Sequence, residues 1–217
     1  MKKLSIITFI LLFSVPAFSQ FFSFGIKAGA ETSTAPKYNV ISSAVTSAYW
    51  NISAIENASW GFHGGIFTRI KIFFLYVQPE IVFASNSFDY NVSGQAFPLA
   101  STYTYYNRSQ KFNKLSVPIL VGMKFGPFRI NAGPAANVQI GTPKALIDDP
   151  NFKEFYKDAV WELQAGIGID IFKKLTIDAR YAGNFGEKYG DAVMIGNQIF
   201  KLDRGQKSFL ISLGLMF

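Results

Sequence analysis

Eight segments of the chain alternate large apolar residues with small or polar ones at a period of two. This period places alternate side chains on opposite faces of a strand, so each segment predicts a strand with one apolar face. The clearest is the C-terminal FLISLGLMF, whose apolar row holds Phe209, Ile211, Leu213, Leu215 and Phe217. The eight predicted strands lie at 22–30, 62–71, 75–83, 114–124, 128–140, 161–170, 175–182 and 209–217.

Two of these strands contain residues that are unusual inside a sheet. Gly64 and Gly65 in the second strand are compatible with a β-bulge. Pro79 in the third strand cannot donate to a hydrogen-bond ladder, and proline in a strand usually marks a sheet edge or a bulge. We therefore expect irregular pairing at both places.

The connections between the predicted strands alternate between short and long. Short turns fall around 71–73, 125–127 and 172–174, and long loops occupy about 31–61, 85–111, 141–159 and 184–206. An even number of strands with short turns at one end and long loops at the other is typical of outer-membrane barrels. The pattern predicts an all-β fold: an eight-stranded, up-and-down antiparallel transmembrane β-barrel with short periplasmic turns and long extracellular loops.

Two of the long loops carry further patterns. Asp149 and Pro150 resemble an N-cap and first-turn pair, and a short helix is predicted after them because three aromatic residues then share one helical face, Phe152, Phe155 and Tyr156. In the loop at 85–111, the runs FDYNV (88–92) and TYTYY (102–106) predict two strands that continue beyond the membrane as a hairpin.

The volume of the apolar rows decides which face of the predicted barrel points outward. An eight-stranded barrel has an interior just wide enough for side chains to fill it, so the many Phe, Trp and Ile residues cannot all point inward as in a soluble lipocalin-like barrel. The other row is rich in glycine, serine and alanine and fits inside. The apolar rows are therefore predicted to face lipid, where a charge at the midplane would cost about 2 to 4 kcal/mol.

The first residues of the chain are typical of a secretory signal peptide. Lys2 and Lys3 precede an apolar run at 4–15, and a small-x-small site ends at Ser19. The apolar run is too short for a spanning helix, which argues against a membrane anchor. We expect a signal peptide at 1–19 and one barrel domain at 20–217. The chain has no cysteine, which excludes disulfides, Cys-ligated metals and a Cys nucleophile.

The formal charge of +7 is unevenly distributed. The long loops hold slightly more carboxylates than cations, whereas the strands and short turns hold a cationic excess. Lys71, Lys173 and Lys174 lie at the short-turn end, where anionic inner-leaflet headgroups would attract them, although simple solubility explains them equally well. A nucleic-acid partner is not expected, because no loop carries a basic stripe.

The inward rows bring several charged residues into the predicted lumen. Paired charges persist in such an interior, so a plug of interlocking salt bridges is favoured over an ion pathway or proton relay, and no conduction of solutes is expected. Gln78, Asn131 and Gln164 belong to the same rows. The predicted lumen network comprises Lys27, Arg69, Glu80, Lys114, Arg129, Glu162, Asp178 and Arg180.

Evidence for enzymatic or cofactor chemistry is weak. His63 is the only histidine and has no serine motif such as G-x-S-x-G near it. Gly166 and Gly168 are a fragment of a dinucleotide loop with no helix after them. One histidine without cysteines leaves only scattered carboxylates in the loop at 141–159, which are typical of a solvated surface. No catalytic residue, cofactor or metal site is predicted.

Several segments in order along the chain resemble the PorT-like outer-membrane β-barrel family of Bacteroidota. They are GIKAG (25–29), GFHGGIF (61–67), LYVQPEIVFAS (75–85), KLSVPILVGMKFGPF (114–128), GIGIDIFKKLTIDARYAG (166–183) and the terminal aromatic residue. The resemblance implies an eight-stranded outer-membrane barrel, mostly of unassigned function. Its founding member is tied to type IX secretion and gliding. The chain departs from the family at Ser116 and Val117, where an acidic residue is common before the proline.

These observations favour a small, closed, non-enzymatic barrel whose extracellular loops contact partners or the environment. The expected surroundings are outer-membrane lipids, and the expected partner during biogenesis is the barrel-assembly machinery. The C-terminal aromatic row resembles the signal read by that machinery. Three alternatives stay open: an accessory subunit of an envelope machine such as type IX secretion, an outer-leaflet lipid-modifying enzyme using His63, and a narrow channel.

Overall fold

The computed structural model describes residues 21–35, 41–43, 48–55, 58–95, 104–144, 152–155, 159–172, 174–184, 190–195, 198–203 and 207–217. The predicted signal peptide lies outside these residues, as does Lys173. The described residues form thirteen strands and no helix. They are β1 (Phe22–Thr34), β2 (Ile41–Ser43), β3 (Ala48–Ala54), β4 (Ala58–Ile72), β5 (Leu75–Gln95), β6 (Thr104–Phe125), β7 (Phe128–Gln139), β8 (Phe152–Phe155), β9 (Ala159–Ile171), β10 (Leu175–Asn184), β11 (Gly190–Ile195), β12 (Gln198–Asp203) and β13 (Lys207–Met216).

Eight of these strands close into a ring. Each pairs antiparallel with its neighbours in the order β1, β4, β5, β6, β7, β9, β10 and β13, and β13 pairs back onto β1. These eight correspond to the eight segments predicted from alternation, so the predicted barrel is confirmed. Closure removes the sheet edges, which is the condition for placing strand backbone in lipid. No described residue belongs to a helix long and apolar enough to cross a membrane.

Side-chain exposure separates an outer and an inner face of the ring. Along β13 every second residue is buried, and the inward positions carry Ser208, Leu210, Ser212 and Met216. From Phe209 to the residue after β13 the outward positions are 41% to 72% exposed although all of them are apolar: Phe209, Ile211, Leu213, Leu215 and Phe217. Large exposed apolar surface of this extent indicates a nonaqueous surrounding. The apolar rows therefore face outward, as the volume of the lumen predicts.

Strand β5 shows where the barrel leaves the lipid. Its outward row is apolar over 75–83 and polar over 87–93. The inward row changes in the opposite sense, from Gln78 and Glu80 to three apolar side chains that are 0% to 2% exposed, Phe88, Tyr90 and Val92. Nine residues of tilted strand are enough to cross the hydrocarbon core. The inversion therefore marks the extracellular surface of the membrane.

Beyond this boundary the predicted hairpin is present. β5 and β6 remain paired from the membrane to Gly94 and Thr104, and β3 adds to the free side of β5 through the pairs from Tyr49 with Gln95 to Ala54 with Tyr90. A second sheet, of β8, β11 and β12, is formed by the other two long connections. The long loops thus contain sheets of their own.

The expected irregularities in pairing are smaller than predicted. The register of β4 with β1 runs through Gly64 and Gly65 without an extra residue, so the suggested bulge is absent. Pro79 lies inside a strand that is paired on both sides, and the register before and after it is unchanged. A missing donor in a long ladder therefore removes local hydrogen bonds without shifting the strands.

The predicted helix after Asp149 and Pro150 is wrong. Phe152–Phe155 is strand β8, and it pairs antiparallel with β11 from Ala192 to Ile195. The two aromatic residues of FKEF are three positions apart, as on one face of a helix, but pairing with a neighbouring strand overrides this local helix signal. Asp149, Pro150 and Tyr156 lie outside the described residues.

The three short turns contain backbone in the left-handed region. Gly126 adopts a φ of +58°, which glycine accepts freely. Phe73 and Phe172 adopt φ values of 55° and 50° at the other two turns, and each side chain is 94% exposed. The left-handed conformation costs a bulky residue about 1 to 3 kcal/mol. The exposed rings contribute to an aromatic band at the periplasmic interface.

The outward row of β13 offers a test of its lipid contact. Leu213 is halfway along that row and Phe209 is near its extracellular end. We expect Leu213→Arg to lower the free energy of unfolding in lipid vesicles by about 2 to 4 kcal/mol, and Phe209→Arg to lower it by about 0 to 1 kcal/mol, because the cost depends on depth. Urea titration followed by tryptophan fluorescence measures both. Equal values for the two variants would contradict a membrane-facing row.

Candidate functional site

The centre of the lumen is occupied by a carboxylate that joins opposite walls of the barrel. Glu80 of β5 accepts two hydrogen bonds from Arg180 of β10, from Nη1 to Oε2 at 2.9 Å and from Nη2 to Oε1 at 2.8 Å. Lys27 of β1 also donates to Glu80 Oε2, and Gln78 Nε2 donates to Oε1 at 2.6 Å. We call these four residues the central cluster. Paired guanidinium and carboxylate groups make strong, directional contacts.

A second group of charges lies toward the periplasmic end. Asp170 of β9 accepts hydrogen bonds from Arg129 Nε at 2.9 Å, from Arg69 Nη1 at 3.1 Å and from Lys124. Arg129 extends to Asp178, whose Oδ1 lies 3.1 Å from Nη2. We call these five residues the lower cluster. Arg69 Nε donates to Gln78 Oε1 at 2.7 Å, which connects the lower cluster to the central one.

A glycine makes room for one of these arginines. A Cβ atom on Gly168 would lie 2.5 Å from Arg129 Nη2 and 2.6 Å from Asp178 Oδ1. Any side chain there would displace the ion pair. The glycine pair at 166 and 168 therefore has a packing role, and it is part of strand β9, not of a nucleotide-binding turn.

A third group lies toward the extracellular end. Glu31 accepts a hydrogen bond from Asn86 Nδ2, and its Oε1 lies 3.3 Å from Lys114 Nζ. His63 Nε2 lies 2.7 Å from Ser212 Oγ, and His63 Nδ1 lies 3.9 Å from Glu31 Oε2. We call these five residues the upper cluster. His63 and Ser212 are each 2% exposed.

The eight residues predicted for the lumen all lie on inward rows. Seven belong to the three clusters, and the eighth, Glu162, accepts a hydrogen bond from Gln164 Nε2 at 2.7 Å. Three further charged residues of the lumen were not among the predicted ones: Glu31, Lys124 and Asp170. Extending the alternation of the first strand by one step beyond Gly29 would have placed Glu31 inside. Lys124 and Asp170 already stood on the inward rows of the fourth and sixth predicted strands.

The charges in the lumen nearly balance. Among the described residues, five carboxylates (Glu31, Glu80, Glu162, Asp170 and Asp178) face six cations, namely Lys27, Arg69, Lys114, Lys124, Arg129 and Arg180. A cavity of about 10 Å³ lies between the central and upper clusters. A cavity of this size holds at most one water molecule.

At the periplasmic end the lumen opens into a cavity of about 1040 Å³. Arg69, Lys124 and Asp170 of the lower cluster form its inner wall. Across the described ranges, no group of three or more His, Cys, Asp and Glu residues is arranged to hold a metal ion.

Comparison with known proteins gives one family match. Residues 18–187 match the sequence model of a family described as outer membrane protein beta-barrel domain. No curated protein matches the chain.

Several solved structures share the architecture at low sequence identity. Neisserial surface protein A is 13% identical, with 89% of this chain and 97% of that chain covered and a TM-score of 0.46. Ail of Yersinia pestis, in complex with the heparin analogue sucrose octasulfate, is 12% identical, with 91% and 99% covered and a TM-score of 0.43. The Escherichia coli outer membrane protease OmpT is 9% identical, with 91% and 97% covered and a TM-score of 0.36. These similarities are too distant to indicate a role. Because the family match at 18–187 spans well over half of the 217 residues, the chain belongs to the outer membrane protein β-barrel domain family and is a protein of the outer membrane.

Proposed function

We propose that this protein is a closed, non-enzymatic barrel that acts through its extracellular sheet. The observation that carries the proposal is the contrast between the two halves of the molecule. The lumen holds a network of paired charges, with a cavity of about 10 Å³ between the central and upper clusters. The strands β5 and β6, by contrast, continue far beyond the membrane and recruit β3.

The extracellular sheet presents a polar outer face. Asn91 and Asn107 are paired directly across β5 and β6, and Ser53 of β3 is paired with Asn91. All three are exposed, and Tyr105 nearby is 75% exposed. Amides, hydroxyls and an exposed aromatic ring on a rigid sheet are suited to recognition by hydrogen bonds and stacking.

A narrower assignment follows from the resemblance noted in the sequence. We infer that the chain is a PorT-like barrel of Bacteroidota that is exported by a signal peptide at 1–19. Outer-membrane lipids surround it, and the barrel-assembly machinery inserts it. Alternatively, the protein interacts as an accessory subunit of a larger envelope machine such as type IX secretion.

Shortening the hairpin tests the proposed interaction. Asn86 and Phe112 are paired across β5 and β6, so residues 87–111 can be replaced by a two-residue turn without changing the membrane strands. We expect the variant to reach the outer membrane with unchanged heat-modifiable gel mobility, while the size of the native assembly in mild detergent falls to that of the barrel alone. An assembly of unchanged size would contradict a role for this sheet.

The contact between Ser212 and His63 favours a second candidate, an outer-leaflet lipid hydrolase. A serine hydroxyl 2.7 Å from a histidine nitrogen, with a carboxylate 3.9 Å beyond, has the order of a nucleophile, a base and an orienting group. A substrate would have to reach side chains that are 2% exposed, and a Cβ on Gly29 would already lie 2.9 Å from His63 Cε1. Unchanged lipid A and phospholipid profiles for His63→Ala and Ser212→Ala would remove this candidate; Ser208→Ala, in the Ser33–Ser208 contact of the same lumen, is the control.

A further inference from the structure

The cavity at the periplasmic mouth has a strongly basic lining, and we call it the basic vestibule. Its cations are Arg69, Lys71, Lys124 and Lys174, and its carboxylate is Asp170. Four cationic side chains thus line the cavity with one carboxylate side chain. Asp170 already contacts Arg69, Arg129 and Lys124, so its charge is shared within the lower cluster. The vestibule is therefore electrostatically suited to an anion.

Arg69 lies at the inner wall of the vestibule. It is 1% exposed, its Nη1 contacts Asp170, and its Nε contacts Gln78. Its Nη2 is buried and has no hydrogen-bond partner among the described residues. The guanidinium also lies over the rings of Phe67 and Tyr76, 5.6 Å and 5.4 Å from their centroids, which hold it in place. A planar guanidinium group is well matched to phosphate oxygens.

The outer part of the same cavity is apolar. Phe172, Leu215 and Phe217 line it together with the cations. Leu215 and Phe217 belong to the lipid-facing row of β13, and the ring of Phe172 is 94% exposed at the neighbouring turn. The cavity thus runs from buried charge to the lipid-facing surface at the level of the inner-leaflet headgroups. A ligand with a phosphate group and acyl chains would match both parts.

We propose that the basic vestibule binds a phosphate group, presented by the headgroup of an inner-leaflet phospholipid. The phosphate lies among Arg69, Lys124 and Lys174, and the acyl chains lie outside the barrel along Leu215 and Phe217. A free phosphate ion carries the same anionic group without acyl chains, and the experiment below distinguishes it from a phospholipid. This assignment is independent of the role proposed for the extracellular sheet.

The test uses the full-length purified protein in nonionic detergent. Bound phosphatidylglycerol is counted by native mass spectrometry during a titration, and inorganic phosphate is titrated separately by calorimetry. The variant Lys71→Gln/Lys174→Gln removes two cations from the rim of the vestibule and leaves the lower cluster intact. We expect it to weaken binding at least about tenfold, as two cations near an anionic headgroup predict.

A charge-matched control separates the site from general electrostatics. Lys111→Gln/Lys207→Gln removes two exposed cations at the opposite end of the barrel and should leave binding unchanged. If phosphatidylglycerol binds saturably and more tightly than inorganic phosphate, the vestibule is a phospholipid site. If both probes bind with equal affinity, it is a site for free phosphate. Failure of both probes to bind, or an equal loss in the control, would overturn the proposal.

Discussion

The variant Glu80→Gln should destabilise the folded barrel by about 3 to 5 kcal/mol, the usual cost of removing one partner from a buried ion pair. Glu80 is 2% exposed and is the shared counter-ion of Arg180 and Lys27. Glutamine keeps the volume and the hydrogen-bonding reach but not the charge, so two cations in the lumen would lose their partner. Denaturant titration in detergent micelles, with heat-modifiable gel mobility as a second readout, measures the loss.

Two comparisons make this result specific to the central cluster. Asp89→Asn is the matched change at an exposed position of the same strand, and it should alter stability by no more than about 0.5 kcal/mol. Adding Arg180→Met to Glu80→Gln removes the bidentate partner as well and should recover part of the loss, because fewer charges then remain unpaired. If Glu80→Gln proved as stable as Asp89→Asn, the central cluster would not hold the barrel together.

The strands were predictable because lipid and lumen impose opposite requirements on alternate residues. The outward row of a nine-residue stretch such as 75–83 is apolar throughout, and closure follows because an open edge cannot exist in lipid. The inversion in β5 beyond Phe83 is also visible in the sequence, since polar and apolar residues exchange rows at the membrane surface.

The partners inside the lumen were not predictable in the same way. Alternation places Glu80 and Arg180 inward, but their contact joins strands that are a hundred residues apart and depends on the register around the whole ring. The ion pairs of Asp170 could not be predicted for the same reason, because its three cationic partners lie on three different strands. The short sheet containing β8 failed to be predicted for a related reason: its conformation is determined by pairing with β11.

Deleting Phe217 should reduce the amount of protein in the outer membrane several-fold while changing the intrinsic stability of the refolded barrel little. The residue is 72% exposed, its ring stacks on Phe24 at a centroid distance of 6.5 Å, and its backbone N–H donates to Phe24 O at 2.8 Å. Losing one such hydrogen bond and one exposed contact costs about 1 to 2 kcal/mol. A larger loss in the cell therefore requires a step before folding, which we propose is recognition of the C-terminal row by the assembly machinery.

Another aromatic residue at the periplasmic end of the barrel supplies a control for recognition by the assembly machinery. Phe128 is 63% exposed at the start of β7, so Phe128→Ala removes a similarly exposed aromatic side chain without changing the C-terminal residue. Phe217→Tyr keeps a terminal aromatic ring and should restore the amount in the membrane, whereas Phe217→Ala should resemble the deletion. Quantitative blotting of outer-membrane fractions, alongside unfolding of each variant refolded in detergent, separates delivery from stability. If Phe128→Ala lowered the membrane level as much as the deletion did, the aromatic rim as a whole would be responsible, and the terminal position would have no special role in assembly.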